Sequence, residues 1–206
     1  MIKRSIARAV LVLGVLTAAA GQPAKAQQDP SQFISTLGTQ AIQVMGPQIP
    51  LQQRIAVFNQ LFSTYFDVPR IARFVLGQYT RTATPEQQQH FMAAFQATMV
   101  ETYAQRLGSY GGEPFRVTGA HPAAGGETIV SSQIIRPHGA RVEVNWTVAD
   151  AGGQPKVTDV SINGLSMRIQ ERQLFASLMQ QSGERMDIAT VALRQSGIAP
   201  TAGSSR

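Results

Sequence analysis

Apolar positions along the chain change their period twice. Up to about residue 110 they recur at helical spacing, from 113 to 163 they alternate with polar residues, and beyond 164 helical spacing returns. A first helix is expected over 30–45, with Phe33, Ile34, Leu37, Ala41 and Val44 on one stripe and Gly46-Pro47 ending it. Next, Leu51, Ile55, Phe58, Phe62 and Tyr65 advance by alternating steps of four and three, the clearest amphipathic pattern in the chain. Asp67 is placed to cap a short helix over 68–76, in which Pro69 has no N–H to satisfy and Gly77 allows a left-handed stop. Thr84-Pro85-Glu86-Gln87 then reads as a capping box. It opens a long helix from 85 to about 109, with Phe91, Phe95, Met99, Tyr103 and Leu107 on its buried face and Tyr110-Gly111-Gly112 closing it.

The alternating stretch predicts four strands, through Phe115/Val117, Val130/Ser132/Ile134, Val142/Val144/Trp146/Val148 and Val160/Ile162. Gly125-Gly126, Pro137-His138-Gly139 and Asp150-Ala151-Gly152-Gly153 supply the turns of an antiparallel meander. Arg141, Glu143, Asn145 and Thr147 turn one face to water, so the other face lies on the helices. Helical spacing returns through Ile169, Leu174, Phe175 and Leu178, and after Gly183 through Ile188, Val191 and Leu193. The expected class is α+β, with helices wrapping a twisted four-stranded antiparallel sheet.

Composition narrows the function. Among 206 residues there is no Cys, 43% are hydrophobic and 15% charged, and 23 Gln supply much of the polar surface. Disulfides and thiolate metal sites are therefore excluded. Lys3, Arg4 and Arg8, the apolar run 9–20 and Ala24-Lys25-Ala26 have the three-part form of an export signal, expected to be cleaved after Ala26. The run is too short for a bilayer span, which needs about 20 residues. Cleavage removes four basic residues and no acid, leaving 14 basic against 12 acidic groups, so the net charge falls from +6 to +2. Nucleic-acid binding loses its support with that charge. The product is expected in the periplasm as one domain over 27–197. It divides into helices (27–112), sheet (113–163) and C-terminal helices (164–197), and a frayed tail (198–206) follows.

Candidate chemistry is sparse. His90, His121 and His138 fall on a helix surface and in two turns without metal-ligand spacing, and no phosphate loop, nucleophile elbow or zinc-protease motif occurs. Asp67 is accounted for as a cap. Asp159, in a strand, either faces the polar side or pairs with a base such as Arg168. No catalytic residue, metal or cofactor is predicted. The nine Phe, seven Met and single Trp fit either a filled core or an apolar cavity between two curved layers, and composition does not separate these.

Several stretches resemble the MlaC family of bacterial periplasmic phospholipid-binding proteins, also known from toluene-tolerance operons. They are Phe66-Asp67-Val68-Pro69-Arg70-Ile71-Ala72-Arg73-Phe74-Val75-Leu76-Gly77, then Tyr79-Thr80-Arg81-Thr82-Ala83-Thr84-Pro85-Glu86-Gln87, and residues 91–95 and 103–112. Trp146-Thr147-Val148 and Asp159-Val160-Ser161-Ile162-Asn163-Gly164-Leu165-Ser166-Met167, with Arg172 and Phe175, continue the match, which covers roughly 32–195. The family commonly has an aromatic where Thr80 stands, a departure that alters local surface and leaves the fold unchallenged.

The resemblance implies a partly NTF2-like fold enclosing an apolar pocket for acyl chains. It also implies a monomeric shuttle for phospholipid between an outer-membrane lipoprotein–porin complex and an inner-membrane ABC transporter bearing an MCE-domain ring, which maintains outer-membrane lipid asymmetry. A related branch is tied to hopanoid pathways, so a hopanoid-type cargo stays open. The expected pocket lining is Phe74, Phe91, Phe95, Met99 and Tyr103 from the helices and Val144, Trp146, Val148, Val160 and Ile162 from the sheet. Arg73 or Arg81 is expected near a headgroup at the mouth. Two alternatives remain: an NTF2-like enzyme with Asp67 or Asp159 as a buried acid, and an adaptor with a filled core.

Overall fold

The structure is a computed structural model that describes residues 28–44, 46–136 and 139–196. The export signal, the C-terminal tail and His138 lie outside the described residues. Helices α1 (Pro30–Val44), α2 (Leu51–Tyr65), α3 (Val68–Leu76) and α4 (Pro85–Arg106) precede the sheet, and α5 (Met167–Gln181) and α6 (Met186–Ser196) follow it. Their ends form as the sequence predicts. The Asp67 carboxylate accepts from the Arg70 N–H at 3.1 Å, and Gly77 stops α3 at φ 60°. At the head of α4, Thr84 Oγ1 accepts from the Gln87 N–H at 3.2 Å while Gln87 Oε1 accepts from the Thr84 N–H at 3.0 Å. The α-helix ends at Arg106, short of the expected 109, because Leu107–Ser109 tightens into a 3₁₀ turn. Gly108 there lies so close to the Arg54 guanidinium that a Cβ would come within 2.5 Å of it.

Strands β1 (Phe115–Pro122), β2 (Thr128–Ile135), β3 (Arg141–Asp150) and β4 (Pro155–Ile162) form the meander, and β5 (Leu165–Ser166) adds a fifth at its edge. Asn163 (φ 49°) and Gly164 (φ 83°) turn the chain so that Ile162 pairs with Leu165. Two residues are too few to show a period, so β5 is not legible as a strand in the sequence. On β3 and β4, Val144 pairs with Ile162 and Trp146 with Val160. Beyond them the register slips between Thr147 and Val148, leaving Thr158 unmatched on β4. His121 stands exposed on β1 instead of in a turn.

The polar face is wet only at one end. Arg141 and Glu143 are exposed, but Asn145 and Thr147 are half-buried. Asp159, opposite Thr147, is itself held under the start of α5, where the Arg168 N–H donates to it. Helix α1 lies against β1 and β2, whereas α3 and α5 meet β4. A backbone hydrogen bond of 2.9 Å from Asp67 N to Val157 O ties the α2–α3 junction to the sheet.

Burial forms two apolar clusters instead of one. The helical cluster joins α2, α3, α4, α5 and α6 around Phe91, Phe95 and Phe175, with the Phe91 and Phe175 rings 4.6 Å apart. The second joins α1 to the sheet through Phe33, Ile34, Leu37, Leu61, Val130, Val148 and Val157. The C-terminal helices bury Phe175 and Leu193 as expected, but the rest of the stripe is shifted. Ile169, Leu174, Ile188 and Val191 are exposed, and α6 instead buries Met186, Ala189 and Thr190. The short side chains of Ala189 and Thr190 let α6 lie against α4, which a stripe of larger groups would hold apart.

Candidate functional site

Between the two clusters lies an apolar void of about 250 Å³. Leu37, Gly38, Ala41 and Ile42 of α1 and Phe58, Leu61 and Phe62 of α2 form one wall. Phe95, Met99, Tyr103 and Leu107 form another. Phe115, Ile134, Val144, Trp146, Val160 and Ile162 close it from the sheet. Trp146 keeps this wall dry because its indole N–H is already satisfied, donating at 2.9 Å to Ser132 Oγ, which in turn donates to the Val144 carbonyl at 2.9 Å. Gly38 is required for space: the edge of the Phe115 ring lies 2.3 Å from where its Cβ would stand. Ile42, Leu107, Tyr110, Ile134 and Ile162 keep part of their surface exposed and mark the rim.

One end of the cavity is polar. Tyr103, Asp159, Met167, Arg168 and Glu171 meet there. Asp159 is fully engaged, its Oδ2 accepting from the Ser166 hydroxyl at 2.5 Å and its Oδ1 from the Arg168 N–H at 3.1 Å. The Tyr103 hydroxyl donates at 3.0 Å only to the weakly accepting Sδ of Met167. Burial, seconded by the nearby Glu171 charge, pushes the Tyr103 phenol up to about 12, so it stays neutral. Burial likewise holds the Glu171 carboxyl above its usual 4.5, against the opposing pull of Arg106. Glu171 Oε2 is buried without a hydrogen-bond partner. Arg168 Nε forms an ion pair with Asp159 Oδ2 at 3.5 Å, the pairing the sequence offered for Asp159.

Of the ten residues expected at the pocket, Phe95, Met99, Tyr103, Val144, Trp146, Val160 and Ile162 border the void. Three stand elsewhere. Phe91 is one helical turn from Phe95 and packs against Phe175 in the helical cluster. Val148 lies past the register slip, within the second cluster. Phe74 faces outward under the Arg168 and Arg172 guanidinium groups, 4.8 and 5.0 Å from its centroid. Arg73 and Arg81 do not reach the cavity, since Arg73 lies on the exposed face of α3 and Arg81 beside a surface groove with Glu184 and Asp187. Asp67 serves as the cap of α3.

Sequence reasoning missed the wall from α1 and α2, although their apolar stripes were visible, because a stripe does not tell whether it meets a neighbour or a void. It also missed Glu171, which did leave a signal: a carboxylate four residues from both Met167 and Phe175, in the middle of an apolar helical face. Among the described residues no cluster of metal-ligating side chains occurs, and no helix is long and apolar enough to cross a membrane.

The comparisons with known proteins agree with this architecture. The phospholipid-binding protein from Ralstonia solanacearum, solved in complex with a phospholipid, has the same fold, with a TM-score of 0.72 at 21% identity over 82% of this chain and 97% of that one. The toluene tolerance protein ttg2D of Pseudomonas putida is 29% identical over 130 residues, 63% of this chain. That alignment spans only 60% of the relative's own length. The sequence model of the MlaC protein covers residues 36–194, which takes in every wall of the cavity, and the chain therefore belongs to the MlaC family.

Proposed function

We propose that this protein is a periplasmic carrier that takes the acyl chains of a phospholipid into the cavity and shuttles the lipid between two membranes. The observation that carries the reading is the void itself, larger than the engineered cavities of about 150 Å³ that stay dry and take up benzene. Each methylene brought from water into such a space is worth about 0.8 kcal/mol, and a two-chain lipid crossing water unaided faces on the order of 20 kcal/mol. A carrier removes most of that barrier without forming or breaking a bond. The reading includes removal of 1–26 on export, a single lipid-binding domain over 27–197, and exchange with an inner-membrane ABC transporter bearing an MCE-domain ring and an outer-membrane lipoprotein–porin complex. Maintenance of outer-membrane lipid asymmetry would follow from that exchange. The similar Ralstonia protein with its bound phospholipid supports the cargo.

The enzyme alternative is less favoured. It rests on Asp67 or Asp159 as the buried acid, and Asp159 reaches the wall with both oxygens engaged, while Asp67 caps a helix. Mass spectrometry of an organic extract of protein purified without detergent tests the carrier reading. Phospholipid is expected from the wild type, on a chain whose intact mass begins at Gln27. Val144→Asp and Val160→Asp place a charge in the void and are expected to abolish the lipid while the protein still melts cooperatively. Lipid retained by both folded variants, or absent from the wild type, overturns the reading.

A further inference from the structure

On the outer side of the cavity wall, α3 and α5 lie against each other and carry a cationic surface. Arg70 and Arg73 of α3 and Arg172 of α5 are exposed, and the Arg168 and Arg172 guanidinium groups cover the Phe74 ring where the two helices meet. The acids of this region sit beneath it. Glu127 pairs with Arg70 and Asp159 with Arg168, and the two carboxylate side chains are only 12% and 9% exposed. Glu171 is the one acid within 68–81 and 165–181, and it borders the cavity. Arg73 and Arg172 have no carboxylate partner among the described residues. Two large apolar groups stand out beside them: Leu165 of β5 is 63% exposed and Ile169 of α5 46%. Ile169 and Arg172 are three residues apart and share a helix face.

We propose that this face docks the protein on an anionic lipid bilayer, with Arg73 and Arg172 against lipid phosphates and Leu165 and Ile169 in the headgroup layer. Guanidinium groups match phosphate geometry, and cations flanked by exposed apolar side chains are what binding in a bilayer interface requires. The processed chain has 14 basic against 12 acidic groups, a net +2, so the attraction comes from where these arginines stand and not from total charge. An acidic protein surface complements the arginines too. The bilayer is favoured because the same turns of α5 form a wall of the cavity: Met167, Arg168 and Glu171 border the void, while Ile169 and Arg172 stand exposed. A bilayer held there lies one helix diameter, about 10 Å, from the space that takes acyl chains. The docking takes its purpose from the carrier reading, but it is measured without reference to cargo.

Co-sedimentation of the exported protein with vesicles of phosphatidylcholine alone, or of phosphatidylcholine mixed with phosphatidylglycerol, tests the face. Wild-type protein is expected to prefer the anionic vesicles, with binding that weakens as salt is added. Arg73→Gln is expected to weaken that binding about fivefold, and Arg73→Gln with Arg172→Gln about 25-fold, on a scale of about fivefold for each arginine at an anionic surface. Arg116→Gln with Arg141→Gln removes the same charge from exposed positions of β1 and β3 and is expected to leave binding unchanged. Equal binding to both vesicles, anionic binding that survives loss of Arg73 and Arg172, or the same loss from the β1 and β3 pair overturns the docking face. Binding to neither vesicle overturns it as well and leaves the surface to an acidic protein. Should the variant lacking Arg172 not fold, Arg73→Gln alone decides, since Arg73 stands on the exposed face of α3. Copurifying phospholipid, read by mass spectrometry on the same preparations, is expected unchanged in every variant. Its absence from the wild type overturns the carrier reading, while the vesicles still decide the docking face.

Discussion

Glu171 shows what burial does to a single group. Its carboxyl titrates above the usual 4.5, chiefly because burial disfavours the charged form. The folded protein then holds this proton more tightly than the unfolded chain does, so ionised Glu171 opposes folding above its folded pKa. That penalty fades as pH falls through the folded pKa and vanishes below 4.5, the ordinary value of a glutamate in the unfolded chain. Glu171→Gln should accordingly raise Tm at neutral pH, with the gain shrinking toward pH 4.5. A gain that stays constant over that range would mean the effect is packing and not charge. Trp146 is the opposite case: its one polar atom is satisfied by Ser132 inside the sheet, so the ring presents only hydrocarbon to the cavity.

Elements begin and end where local chemistry tells them to, but which face they bury is set by their neighbours. Helix α4 is specified by its capping box, and Thr84→Ala should cost about 1 kcal/mol by freeing one backbone donor, measured by urea denaturation with the m-value unchanged. A loss below a few tenths would show that the interior of α4 alone sets its start. Helices α5 and α6 show the other side. Ile169 and Val191 look like core residues by size, yet Ala189 and Thr190 are the ones buried, because close approach to α4 favours small groups. Phe91 and Phe95 share one stripe of α4, and a single helical turn places one in the core and the other on the cavity.

The property that matters for a carrier belongs to the whole molecule: two apolar clusters that meet without fusing. The α2–α3 junction is fastened to β4 by the hydrogen bond from Asp67 N to Val157 O, and Lys156 Nζ donates to the Thr64 carbonyl beside it. The void lies next to this seam. Because a bilayer interior is as apolar as the cavity, moving a lipid between them changes free energy little. Loaded protein is therefore expected to exchange fluorescent phospholipid with vesicles in both directions without nucleotide, followed by dequenching. Strictly one-way transfer would overturn this expectation.

Period, caps and turn residues in the sequence determined the six helices, the four long strands and their antiparallel order, since these depend on interactions within a few residues of each other. The family was legible as well, through motifs from Phe66 to Gln87 and around Asp159. Tertiary structure alone decided that the layers leave a space between them, that Phe91 and Val148 fill a core while Phe95 and Val144 border the void, and that Glu171 ends up buried beside it. A stripe of apolar residues records that a face avoids water. Whether it meets side chains or a ligand depends on distances between elements far apart in the chain, and these no local pattern encodes.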